Sequence, residues 1–124
     1  MLQALYDRYC THVAWLERNR YIYDTDMNWL AFIHNKHQVW TKGTVRWAGT
    51  INGVICLDQE GKVVAWGVGQ KIAGDPSIQK KPKYVPKQPP EPAGVLRPLL
   101  PNPPIPGTPL LGWSPLTFEE WIKP

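Results

Sequence analysis

The 124-residue sequence predicts an all-β fold: four tandem β-hairpins closing around a pseudo-fourfold axis, with an extended proline-rich tail that ends in a short helix. Three observations carry this. Residues 4–69 hold four imperfect copies of one short pattern. All 14 prolines lie at or after Pro76. The residues after 111 combine helix-start signals with Trp113, Phe118 and Trp121. Together they divide the chain into a four-hairpin domain over 1–70, a proline-rich segment over 71–111 and a short terminal helix or docking peptide over 112–124.

Each copy reads as a run rich in Tyr, Ile, Val and Trp, a turn, and a second run that alternates, which is the pattern of a hairpin. The copies are Ala4–Asp7 with Val13–Leu16, Tyr21–Asp24 with Leu30–Ile33, Gln38–Thr41 with Val45–Ala48, and Val54–Asp58 with Val64–Gly67. Aligned this way, Val13, Leu30, Val45 and Val64 share a register. Trp15, Phe32, Trp47 and Trp66 follow two residues on. Period-two alternation then predicts one aromatic cluster built from the four copies. Ala14, Ala31 and Ala65 intervene, and Arg46 takes that small-residue position in the third copy. In the first strands Leu5, Ile22, Val39 and Ile55 precede Tyr6, Tyr23, Trp40 and Cys56, so Cys56 stands where an aromatic is expected. Asp7, Asp24 and Asp58 suit turns through their side-chain acceptors, and Thr41 replaces them in the third copy. Lys42-Gly43 and the Gly61 turn supply glycine where φ is positive.

One hairpin is marginal in water. Four that share a core must stack or close, and closure also removes unpaired strand edges. Such a domain is small, and its rings supply much of the apolar area it can bury.

From Lys71 the composition changes. Lys80 to Pro92 is basic and proline-rich, hence extended. Pro98, Pro101 and Pro104 recur every three residues, the repeat of a polyproline II helix. Leu96, Leu99 and Leu100 make this stretch too apolar for a solvated spacer, so it is expected to pack on something: the β-domain, a second copy or another protein. At the end, Ser114-Pro115 suits an N-cap followed by the first helical residue, while Thr117 with Glu120 suits a capping box one turn later.

Net charge is +4. Residues 1–70 hold seven basic and six acidic residues against seven and four beyond, so the tail carries most of the excess. The two cysteines, Cys10 and Cys56, lack zinc spacing and read as reduced thiols. The N-terminus lacks a basic region followed by an apolar one, and no apolar run reaches the ~20 residues of a membrane span, so a cytoplasmic protein without membrane contact is expected. No nucleophile elbow, phosphate-cradling loop or metal-ligand spacing is found, so catalytic residues, metal and cofactor are all expected to be absent.

The candidates that remain are binding residues. Lys83, Pro86 and Pro89 place a base before a PxxP step, and Trp113, Phe118 and Trp121 form an apolar terminal peptide. Both point to an unknown protein partner, with homo-oligomerisation through the tail as a related possibility. The alternative is nucleic-acid, nucleotide or anion binding at a basic, aromatic surface formed by Arg46, Trp47 and Trp40.

The ordered combination of four such hairpins, a proline-rich stretch, and a closing Gly112-Trp113-Ser114 with Phe118-Glu119-Glu120 resembles the bacterial four-fold β-flower proteins. The resemblance covers most of the chain. It implies petals of β-hairpin around an axis and no established activity, so no catalytic residue is carried over from it.

Overall fold

The computed structural model describes residues 2–68, 82–94, 96–100 and 112–123. Eight strands run in chain order: β1 (Leu2–Tyr6), β2 (His12–Glu17), β3 (Tyr21–Tyr23), β4 (Trp29–His34), β5 (Gln38–Thr41), β6 (Trp47–Asn52), β7 (Ile55–Leu57) and β8 (Val63–Gly67). Each pairs antiparallel with its neighbours, and β1 pairs with β8, so the sheet is a closed barrel. A short helix, α1 (Phe118–Ile122), ends the described chain. The expected four-hairpin closure is therefore present. The middle of the proline-rich segment, including Pro101, Pro104, Pro106 and Pro109, lies outside the described residues.

The fourfold repeat is visible in the turns. Asp7 Oδ1 accepts from the backbone N–H of Tyr9 and Thr11, Asp24 Oδ1 from Asp26 and Asn28, and Asp58 Oδ1 from Glu60 and Lys62. Positive φ follows at Cys10, Met27 and Gly61. In the third copy Thr41 Oγ1 accepts from Arg46 N–H and donates to the Thr44 carbonyl, closing a turn one residue longer. Just before each of these turns the ladder shifts register, at Leu5/Tyr6, Ile22/Tyr23, Val39/Trp40 and Cys56/Leu57. Each shift is a bulge with one extra residue on the second strand.

Those bulges correct the sequence alignment in two copies. Leu5 pairs with Ala14, Ile22 with Ala31, Val39 with Gly49 and Cys56 with Ala65. The small-residue position of the third copy is thus Gly49, not Arg46, because the longer turn displaces β6. Trp47 aligns with His12 and Trp29, and Thr50 takes the place held elsewhere by Trp15, Phe32 and Trp66. In the fourth copy Cys56 belongs to the aliphatic row and Leu57 stands at the aromatic position.

The two rows lie on opposite faces. Leu5, Ala14, Leu16, Ile22, Ala31, Val39, Cys56 and Ala65 have no exposure at all, which puts them on the inward face. Tyr21 and Tyr23 alternate with Ile22, and the Tyr21 hydroxyl reaches the tail at the Pro90 carbonyl, so the aromatic face points outward. The expected central aromatic cluster is therefore an outer girdle. In an eight-stranded barrel the inward side chains fill the axis, and here they are small and aliphatic.

The outer rings are nevertheless buried, and the tail crosses parts of this face. Pro82, Lys83 and Tyr84 lie by His34 and His37, Gln88 reaches Gly43, Pro90 reaches Tyr21, Arg97 reaches Asp26, and Pro98 lies by Trp15. Residues 112–114 then meet Val63 and Asp58. The tail touches copies three, two, one and four in turn, as a belt.

Two outcomes follow. A Cβ on Gly49 would lie 2.2 Å from the Leu57 carbonyl oxygen and 3.1 Å from Trp121 Nε1, so backbone must shift to admit it. Gly49→Ala is expected to cost about 2 kcal/mol or more in urea unfolding; an unchanged midpoint would refute this packing. Burial pushes the Cys56 thiol up to about 12. Ellman's reagent at pH 8 should leave Cys56 unlabelled until denaturant is added.

Candidate functional site

At each junction between copies, one outer residue from either side meets across the ladder. The pairs are Trp15 with Tyr23, Phe32 with Trp40, and Trp66 with Tyr6. Between copies three and four the equivalent pair is Thr50 with Leu57, with no ring on either side. The terminal segment docks against this junction. Trp121 is 1% exposed, and its Nε1 approaches Gly49 beside Leu57. Phe118 is buried with it, their rings 5.8 Å apart. The tail supplies the aromatic bulk that the junction between the third and fourth copies lacks.

Polar contacts fix this docking. Gly112 and Ser114 bracket Val63: Val63 N–H donates to the Gly112 carbonyl and Ser114 N–H to the Val63 carbonyl. Ser114 Oγ donates to Asp58 Oδ2 at 2.6 Å in a buried site. The helix starts at Thr117, not Ser114. Thr117 accepts from Glu120 N–H, and Glu120 accepts from Thr117 N–H, completing the capping box. That backbone bond, first, and the Thr117 hydroxyl hold the Glu120 carboxyl below its ordinary pKa.

Arg46 closes the other end of the helix. Its Nη2 donates to the Trp121 carbonyl at 2.7 Å and its Nε to the Lys123 carbonyl at 2.8 Å. A cation at helix C-terminal carbonyls satisfies acceptors that have no partner within the helix. Burial lowers the Arg46 pKa from its ordinary value, yet a guanidinium stays charged at neutral pH.

The candidate residues thus separate. Arg46 sits by the terminal helix and spends its donors there. Trp47 is buried and donates to Gln38 Oε1, while Trp40 is buried in the girdle. Pro86 is buried, Pro89 half-buried and Lys83 exposed. Trp113 is half-buried, and Phe118 and Trp121 are buried against the barrel. The structure therefore joins Arg46 to Trp121, members of two different candidate sets, and leaves Lys83 apart in a recess of about 460 Å³ with His34, His37 and Tyr84.

Three residues with more open side chains were not among the candidates. Leu96 is 92% exposed, Leu99 is 97% and Leu100 is 52%. Their signal was present in the sequence, as aliphatics in a proline-rich stretch with Leu96 and Leu99 spaced by three. Tyr84 and Val85 are exposed as well.

Other chemistry is sparse among the described residues. No group of three or more His, Cys, Asp or Glu could hold a metal ion. Burial, reinforced by the Glu17 carboxylate at 3.1 Å, holds the Tyr23 phenol well above its ordinary range. Burial also lowers the His12 pKa, opposed by its bond to the Ala14 carbonyl. No described helix is long and apolar enough to cross a membrane.

These features define a closed, eight-stranded barrel of four hairpin repeats whose own tail belts the outer face. The family model of the 4-fold beta flower protein matches residues 3–122, from the first strand through the terminal helix. The chain belongs to that family. No curated protein and no solved structure matches it.

Arg46→Ala should release the helix end, with Trp fluorescence shifting to the red and stability falling by roughly 1–3 kcal/mol. Arg46→Lys should recover only part of this, since an ammonium cannot span two carbonyls as a planar fork does. An Arg46→Ala variant with unchanged emission and melting would refute the capping role.

Proposed function

We propose that the chain is a non-enzymatic interaction module that binds a protein partner through its proline-rich tail. The supporting observation is the exposure of Leu96, Leu99 and Leu100 on a tail otherwise held against the barrel. Monomeric proteins rarely present contiguous aliphatics in this way without a partner to cover them. The segment touches the barrel at two points: Arg97 pairs with Asp26 at 3.2 Å, and Pro98 lies by Trp15. Holding a binding segment extended in advance reduces the ordering cost of association. The aromatic end of the tail, by contrast, serves the barrel, so the contact surface centres on Leu96–Leu100 rather than on Trp113, Phe118 and Trp121.

The reading of a nucleic-acid or anion site around Arg46 gains no support from this geometry. The guanidinium is engaged by helix carbonyls, and Trp40 and Trp47 offer no exposed face on which a base could stack.

Leu96→Asp with Leu99→Asp tests the proposal. The tagged chain and this variant would be crosslinked in a lysate of the native host, with bound proteins identified by mass spectrometry. A specific protein should be retained by the wild type and lost from the variant, whose melting should change by only about 2–4 °C because both positions are exposed. Identical sets on both would contradict the proposal. Sedimentation of the pure chain separates a foreign partner from a second copy.

A further inference from the structure

Alternate turns of an up-and-down barrel lie at opposite ends. One end carries the Asp7, Asp24 and Asp58 turns, with Asp26 and Glu60 beside them. The other carries the β2–β3 turn with Arg18 and Arg20, and the β4–β5 turn with His34, Lys36 and His37. Among the described turn residues at this end the one carboxylate, Glu17, is taken by Arg20 at 3.6 Å and by the Tyr23 hydroxyl. Ile33 N–H donates to the Arg20 carbonyl, which sets these two turns side by side. This end of the barrel is therefore cationic.

The recess of about 460 Å³ lies here, and the register builds it. His34 pairs with Gln38, two residues beyond the outward pair of Phe32 and Trp40, so both side chains stand on the outer face. Asn35 and His37 come from the turn between them, where Asn35 and Lys36 both take positive φ. Pro82, Lys83 and Tyr84 of the tail complete the wall.

That wall holds donors and no carboxylate. Neither the Lys83 ammonium nor the His34 ring has a hydrogen bond or ion pair among the described residues. Gln38 Oε1 is occupied by Trp47 Nε1–H, so the Gln38 amide offers its N–H groups. His37 Nδ1 lies 3.4 Å from the Ile51 carbonyl. An anion on its other side favours the imidazolium, which donates from both nitrogens. Phosphate suits such a set better than carboxylate, because it presents three acceptor oxygens and nearly two charges at neutral pH. The remaining wall is apolar, from Pro82 and the Tyr84 ring, which is 69% exposed. An exposed ring beside a cation is a stacking platform for a planar group. Next along the ladder Phe32 and Trp40 are buried, so the platform ends after one ring and does not track a strand. The volume is that of a small-molecule site and exceeds what a bare phosphate fills.

We propose that this recess binds a small phosphate monoester carrying a flat ring, as a nucleoside monophosphate does. Lys83, His34 and His37 hold the phosphate, the amides of Asn35 and Gln38 add donors, and the ring stacks on Tyr84. The site is separate from the Leu96–Leu100 surface and goes beyond the interaction-module reading.

The test titrates the full chain, ¹³C-labelled in its three histidine rings, with AMP, adenosine and inorganic phosphate. His34→Gln and His37→Gln assign their signals by loss. AMP should move the His34 and His37 signals saturably and leave His12, packed edge-on against Trp15, in place. Adenosine and inorganic phosphate should each bind roughly tenfold more weakly, because each lacks one of the two recognised groups. Lys83→Ala and Tyr84→Ala, both at exposed positions, should each weaken AMP roughly five- to tenfold, while Lys62→Ala at the opposite end should leave it unchanged. No saturable shift of His34 and His37 overturns the inference, as does undiminished binding by Lys83→Ala. Inorganic phosphate bound as tightly as AMP also overturns it, since the recess would then be a simple anion site. A single-stranded oligonucleotide bound far more tightly than AMP does so too, since the ligand would then be a strand. Leu96→Asp with Leu99→Asp should keep full AMP affinity, so loss of the protein partner and loss of the nucleotide are read apart.

Discussion

The narrowness of the barrel interior governs the rest of the structure. Eight strands closed around an axis carry Ala, Leu, Ile, Val and Cys on the inward row, and no ring. The rings that supply most of the apolar area must then face outward. Water cannot cover Trp15, Tyr23, Phe32, Trp40 and Trp66 without a large penalty, so another layer is required. The chain's own tail supplies part of that layer, over Tyr21 and beside Trp15. The proline-rich composition suits the task, because an extended chain without ladder bonds lies along a curved surface and presents flat apolar rings to it.

The symmetry is broken where the tail is fixed. The longer turn of the third copy moves Arg46 out of the strand and brings Gly49 and Thr50 to positions held elsewhere by Ala and an aromatic. Leu57 completes the gap from the fourth copy. Each departure alone looks like sequence drift. Together they form a seat: Gly49 lets Trp121 approach, Leu57 leaves space for it, Asp58 receives Ser114, and Arg46 holds the helix end. Asp58 does two tasks with two oxygens, one for its turn and one for Ser114.

Much of this was legible in the sequence. Alternation and recurring turn aspartates report backbone geometry directly, so four hairpins, their closure and the Thr117–Glu120 capping box could all be read. The register of the third and fourth copies could not. A bulge adds a residue without changing the local alternation, and the visual match of Val45-Arg46-Trp47 to Val13-Ala14-Trp15 concealed a shift of three. The inner and outer faces were exchanged for a related reason. Period two separates two rows but does not say which lies on the axis; that depends on barrel radius. Leu96 and Leu99 were read as apolar residues in need of cover, but their exposure depends on how the tail is laid down, which no local signal encodes.

The central claim is that the tail is part of the fold and not an appendage. Native-state hydrogen exchange addresses it directly, because Ser114 N–H is bonded to the Val63 carbonyl, and Trp121 N–H to the Thr117 carbonyl within the docked helix. If the belt and barrel form one cooperative unit, both amides should exchange with nearly the same free energy as Ile51 and Gly67 in the barrel ladder. Exchange of Ser114 and Trp121 orders of magnitude faster, with the barrel amides still protected, would contradict it.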